Sequence, residues 1–433
     1  PSDNNNPLGA SSLNPEDLKN MGLPFDPSMM QGILEQMNTM FSINATPGST
    51  PEQGVNWTGV KDQARRMIAA DSDPSIAENL KQATADAAHL ADLWLDSVTV
   101  FERHNIPVEA WSKAEWLDAS FNSWRETVEP VAAEVTQAMV LPGADNVPEE
   151  LTQLLGNSGF LNNLGSTFFG IQMAQALASL ANEVYSSTDI GFPLAPGRTA
   201  LLPNGFKTLG DEIEVPAQEV LLYLAVRESA LIRLHRTNPW LREDIMALVS
   251  RYARGIRVDM NRIQDAASQV NMHDPEAVQE AFEGGMFNPQ RTEDQELAVE
   301  RLEALLALIE GWVSFVADQA TQNLPKAPQI AETFARRRVE GGPSEQVFET
   351  LVGLEIRPRM VREATAFWRD YDEKHGFEAR DNLWLAPETL PTAKELENFK
   401  KYEDRVSEQL SFDDVDFDSE LKKLLDGGYD DNK

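Results

Sequence analysis

Residues Ala217–Thr237 read AQEVLLYLAVRESALIRLHRT. The stretch is apolar enough to predict a buried helix over Ala217–Arg236. Within it, Glu228 sits among Leu224, Val226, Leu231 and Ile232. A carboxylate in such surroundings is costly unless it is paired, bound to metal or protonated. An ion pair with one of the chain's arginines is the ordinary solution. Glu310 poses the same question in LLALIEGWVSFVAD, where Gly311 beside it costs helix stability, about 1 kcal/mol relative to Ala. Glycine is useful at that position if another backbone comes close.

The helical reading extends outward from this segment. Ile76–Val100 runs without Gly or Pro and places Leu80, Ala83, Ala87, Leu90, Ala91, Trp94 and Leu95 at helical spacing. Ser112 and Glu115 form a capping box ahead of a Trp-rich helix that continues past Pro130 to about Val140. Ser166–Tyr185 carries a small-residue ridge of Gly170, Ala174, Ala178 and Ala181, which reads as a central helix. Residues 186–216 are loop-like, with a short β element around Ala200–Leu209. Further helices are expected over Glu243–Gln269, Glu293–Thr321, Ile330–Val339, Ser344–Leu354 and Pro358–Lys374. A short one is expected from Asp274. Strand-like alternation is nearly absent, so the fold class is mainly α: one large helical domain over 55–402 with little or no sheet.

The two ends read differently. Residues 1–54 are rich in Pro, Asn, Ser, Met and Gly, as in a flexible segment, with a possible short helix at Pro27–Phe41. The opening Pro reads as a trimmed start, and no secretory signal follows it. Residues 403–433 form an acidic tail in which Phe412, Val415, Phe417, Leu421 and Leu424 alternate with acids. That pattern reads as a solvated tail or as a short partner-binding peptide that folds on contact.

Composition narrows the chemistry. The 433 residues hold 37 Lys+Arg against 70 Asp+Glu, a net charge of −33. Nucleic-acid backbones and anionic membranes would repel such a chain. The absence of cysteine excludes disulfides, Cys-ligated zinc, iron–sulfur clusters and thiol nucleophiles. No apolar run is long enough to span a membrane, and the protein reads as cytoplasmic. His235 shares a helical face with Glu228 but lies about 10 Å further along the axis, too far for one ion to take both from a straight helix. His89 with Asp86 shows only half of a di-metal pattern. His104, His273 and His375 form no cluster. The sequence carries no P-loop, dinucleotide fingerprint or nucleophile elbow. Arg336, Arg337 and Arg338, with Arg357, Arg359 and Arg362, read as internal ion pairs or as a partner-contact patch.

Several landmarks together carry a resemblance. They are ADLWLDSVT, AWSKAEWLDASFNSW, FFGIQMAQALASLANEVYSSTDIGFPL, VRESALIRLHRTNPWL, LALIEGWV, RRRVEGGPSEQVFETLVGLEIRPR and RDNLWLAPETLP. In this order, over most of Val55–Pro391, the chain resembles a bacterial family of zincin-like proteins assigned as hydrolases or zinc-dependent metalloproteases. One branch of that family is associated with deazaflavin-cofactor biosynthesis. The resemblance implies a helical fold around a zincin-type active helix. It also implies a zinc held by two histidines four residues apart, with a Glu after the first as general base.

Carried over residue by residue, the motif is degenerate. Arg227 and Leu231 stand where the two histidines would stand. Glu228 matches the general base and Glu310 the position of a third ligand. Arginine cannot bind a cation and leucine has no lone pair. No metal or other cofactor is therefore expected, and Glu228 is not expected to act as a base. Arg227 would fill the space of the lost ion and neutralise both Glu228 and Glu310. The reading is a non-catalytic protein that binds a protein or peptide partner, with Arg336, Arg337, Arg338, Phe412 and Phe417 as candidate contacts. The alternative is a working zinc peptidase with non-standard ligands. A third reading is an acidic decoy for nucleic-acid-binding proteins.

Overall fold

The computed structural model describes residues 54–138, 158–255, 292–339 and 360–408. They lie within one unit, Gln53–Lys433. Helix α1 (Trp57–Ala70) starts at Asn56, whose side chain accepts a hydrogen bond from the Gly59 N–H, and buries Val60, Ala64 and Ile68 on one stripe. Helix α2 (Glu78–Leu95) buries Ala87, Ala88, Ala91 and Leu95. After strand β1 (Val108–Ala110) comes α3 (Lys113–Ala138), which runs through Pro130. Its start is the capping box expected from the sequence. The Glu115 carboxylate accepts from the Ser112 N–H at 2.8 Å, and Ser112 Oγ accepts from the Glu115 N–H at 3.3 Å. Asp73 adds a second cap, accepting from the N–H groups of Lys113 and Ala114.

Helix α4 (Ser158–Glu183) packs on α1 and α3. A Cβ on its Gly170 would stand 3.1 Å from Val60 Cγ2, so the small residue permits the close crossing with α1. However, α4 is not the centre of the fold, because Gln175, Ser179 and Asn182 face solvent. Strand β2 (Thr199–Leu201) pairs in parallel with β1, with Val108 opposite Thr199 and Ala110 opposite Leu201. Leu201 also makes an antiparallel bridge to Ser186. The β element is shorter than the sequence suggests. Pro203 and Gly205 end it in a 3₁₀ turn, and α5 (Phe206–Glu212) begins there.

Helix α6 (Ala217–Thr237) is the centre. It is buried without interruption from Tyr223 to His235 and packs on α2, α5, β2 and α8 (Glu293–Ala320). Between them, α7 (Trp240–Ala253) lies against α3 and α8. Helix α8 opens on a capping box between Thr292 and Gln295. Helix α9 (Ala327–Val339) covers α6, and α10 (Val361–Asn382) lies along α8. Regular helix in α10 breaks at Gly376, whose φ of 81° is left-handed, two residues past the Lys374 end expected from the sequence. A short α11 (Ala393–Leu396) and helical residues 399–408 complete the described chain.

The crossing of α8 and α10 explains Gly311. A Cβ there would lie 2.8 Å from both Ala364 Cβ and the Thr365 backbone nitrogen. Gly311→Ala is therefore expected to destabilise by about 1–3 kcal/mol through overpacking, although alanine is the better helix former. A urea titration checks this, and an unchanged or higher midpoint would contradict the close approach.

Several expectations lie outside the described residues. They are the helices at Pro27–Phe41, after Asp274 and at Ser344–Leu354, the positions Arg357, Arg359 and His273, and the tail residues Phe412 and Phe417. Among the described residues, no helix is long and apolar enough to cross a membrane.

Candidate functional site

Neighbouring residues on a helix point about 100° apart, so Arg227 and Glu228 leave α6 in different directions. Arg227 reaches α8. Its Nη2 donates to Glu310 Oε1 at 2.6 Å and its Nη1 to Ser314 Oγ at 3.2 Å. Both partners of the ion pair are buried, with side chains 9% and 7% exposed. Burial works against the Arg227 charge, but Glu310 outweighs it and holds the guanidinium above its ordinary pKa. The Phe334 ring of α9 lies 5.8 Å from the same guanidinium. Burial pushes the Tyr223 hydroxyl, one turn before Arg227, up to about 12.

Glu228 faces the small sheet instead. Ser187 Oγ donates to one carboxylate oxygen and Thr188 Oγ1 to the other, and Thr199 Oγ1 adds a third bond at 2.7 Å. The Ser186–Leu201 bridge and β2 bring these hydroxyls together, and the Ser187 N–H bonds the Ala200 carbonyl at 2.9 Å. Two expectations are corrected here. Glu228 is satisfied by three hydroxyl groups rather than by an arginine, and Arg227 neutralises Glu310 rather than both acids. The cause is helical geometry: position 227 points at α8 and position 228 at β2. Leu231 is buried in the hydrophobic core.

The remaining polar residues of α6 are held internally. Arg233, 1% exposed, donates to the carboxylates of Asp92 and Asp96 and to the carbonyls of Asp92 and Phe101. His235 is buried, with Nε2 3.1 Å from the Gly191 carbonyl oxygen. Nε2 must carry a proton to donate there, and burial keeps the ring from taking up a second one. Burial lowers its pKa to about 4, only partly offset by that bond. Between pH 6.5 and about 4 the unfolded chain takes up a proton that the folded chain refuses. Stability present above pH 6.5 is therefore lost as pH falls through that window, on the order of 3 kcal/mol from this group. Denaturation curves of the native chain and His235→Gln, compared from pH 7 to pH 4, should converge by that amount. Parallel curves would contradict the assignment.

The other histidines do not join the site. Burial lowers the His104 pKa. His89 is exposed, and the Asp86 beside it accepts from Gln82. The His375 ring lies 4.5 Å from that of Tyr371. Among the described residues, no group of three His, Asp or Glu stands close enough to hold a metal. Of the arginine group, Arg337 donates to the Glu183 carbonyl at 2.8 Å and lies over Tyr185 and Phe334. Arg336 pairs with Glu332 on the surface. Nothing in the sequence pattern pointed to Ser187, Thr188 and Thr199 as partners of Glu228.

Known proteins are similar to this chain at two levels, family and fold. Residues 55–402 match a family model described as zincin-like metallopeptidase. A crystal structure from Chloroflexus aurantiacus, described as a putative hydrolase with a novel fold, superposes with a TM-score of 0.57 at 18% identity. The match covers 82% of this chain and 99% of that one, and at this identity it is a likeness of fold. No curated protein matches the chain.

Proposed function

The chain belongs to the zincin-like metallopeptidase family, and from that premise we propose that it keeps the scaffold without the metal chemistry and acts by binding a protein or peptide. The observation that carries this reading is the buried ion pair of Arg227 and Glu310. The resemblance places Arg227 and Leu231 at the two histidine positions and Glu310 at that of the third ligand. These residues do not fit a zinc ion. A guanidinium is a fixed cation, a leucine offers no donor, and Glu310 already accepts the Arg227 hydrogen bond. His235 does not take their place, because it stands about 10 Å further along the axis of α6 than Glu228, too far for one ion to take both.

Glu228 fits the same reading. A general base must reach the proton it abstracts. Here three hydroxyls donate to the carboxylate. The carboxylate also ties β2 to α6, which is a structural role.

The competing reading, a zinc peptidase with unusual ligands, draws on the survival of both acids. Hydrolysis of a mixed peptide library separates the two. The proposal expects the native chain, supplied with zinc, and Glu228→Gln to give the same background rate. Zinc-dependent turnover lost in Glu228→Gln would establish the peptidase.

A further inference from the structure

A groove on the far side of α8 from Arg227 takes no part in this site. It is an apolar channel of about 440 Å³ between α7, α8 and residues 387–393. Trp240, Leu305, Leu308, Pro387 and Leu390 form its walls. At its lip, Leu297 is 51% exposed. The volume falls in the range of pockets that enclose a ligand or a few side chains. Leu305, Leu308 and Leu390 are buried at its floor, so a side chain that enters the groove meets apolar surface.

The chain's own path indicates the occupant. Residues 399–408 are stitched to the outside of the groove wall. Tyr402 donates to the Thr389 carbonyl at 3.0 Å. Arg405 donates to the carbonyls of Glu388 and Leu390 at 2.9 and 3.1 Å. The chain therefore leaves the described structure beside the segment that lines the groove. Residues 409–433 follow, enough to reach about 80 Å when extended. Phe412 and Phe417 are only four and nine residues past Glu408, which places both within reach of the channel. Charge opposes the docking only weakly: the acidic segment meets a lining in which Arg251 and Arg301 nearly offset Asp244, Glu300 and Glu388.

We propose that the groove between α7, α8 and residues 387–393 is a peptide-binding surface occupied by this chain's own segment 409–433, with Phe412 and Phe417 as anchors. The tether keeps the segment at a millimolar effective concentration, so even a weak groove is filled. A partner that binds either the groove or the tail must first separate them. The inference does not depend on the metal question at α6.

The absence of cysteine makes the test clean. In the full-length chain, the pair Leu297→Cys and Ser419→Cys, which keeps both anchors, should form an intramolecular disulfide at a rate independent of protein concentration. It should form at least about tenfold faster than the pair Leu93→Cys and Ser419→Cys, because docking raises the local concentration. Leu93 is also exposed, on α2. Equal rates for the two pairs, or disulfides that form only between molecules, would overturn the proposal. The second result would assign the groove to another copy. In parallel, a synthetic peptide of residues 409–433 should bind the full-length Phe412→Ser/Phe417→Ser chain at least about tenfold more tightly than it binds the native chain. Equal affinity would also overturn the proposal.

Discussion

Arg227→Met is expected to destabilise the protein by about 3–5 kcal/mol, because it leaves the buried Glu310 carboxylate without its cation. The guanidinium supplies a 2.6 Å charge-assisted hydrogen bond, and the Ser314 hydroxyl at 3.3 Å is a weak replacement. The double variant Arg227→Met/Glu310→Met removes both charges and fills similar volume. Replacing a buried ion pair by packed apolar groups is often neutral or stabilising by about 1–4 kcal/mol. The single variant should therefore be far less stable than the double in urea titrations at pH 7. A single-variant loss under about 1 kcal/mol would mean that water reaches Glu310 and that the pair is not sealed.

A comparable loss, about 3–5 kcal/mol, is expected for Asp381→Asn, where α8, α10 and the segment after α2 meet. Asp381 is fully buried, and four donors converge on it. Thr99 Oγ1 and the Val100 N–H donate to one oxygen at 2.6 and 3.0 Å. Trp312 Nε1 and Arg380 Nε donate to the other at 2.9 and 2.8 Å. Asparagine keeps the shape but turns one acceptor into a donor that faces donors, and it removes the charge opposite Arg380. Arg380 would retain Asp372 and the Val98 carbonyl. The cluster ties the end of α2 to α8 and α10, so its loss should lower the unfolding midpoint of the whole domain. Separate melting of the α10 region alone would contradict that coupling.

Much of this architecture is legible in the sequence because helices declare themselves locally. The apolar run of α6, the stripe of α8 and the Ser112–Glu115 box depend on residues only three or four apart. Gly311 was readable as a close approach, although not which helix approaches. The capping box at Thr292–Gln295, which starts α8, was not read from the sequence, although its pattern is equally local. Long-range polar pairing was not legible. Ser187 and Thr188 lie about 40 residues before Glu228 in a segment without periodicity, and only β-pairing with Leu201 and Ala200 carries them there. Strand β1 is three residues long, too short to show alternation. The partners of Arg380 and Asp381 are spread over nearly 300 residues of chain. The candidate site was thus legible in its charged members but neither in its hydroxyl groups nor in its pairings. Arg227, Glu228 and Glu310 were identified, whereas helical geometry sends the first two to different neighbours.

We propose that Arg227 and Leu231 of α6 stand in the places of metal-binding histidines and that the chain holds no zinc there. Elemental analysis of the full-length chain tests it most directly, on protein purified without chelators, incubated with zinc and then dialysed. The account predicts zinc far below one atom per chain, unchanged in Glu310→Gln. About one atom per chain that survives dialysis and is lost in Glu310→Gln would contradict it.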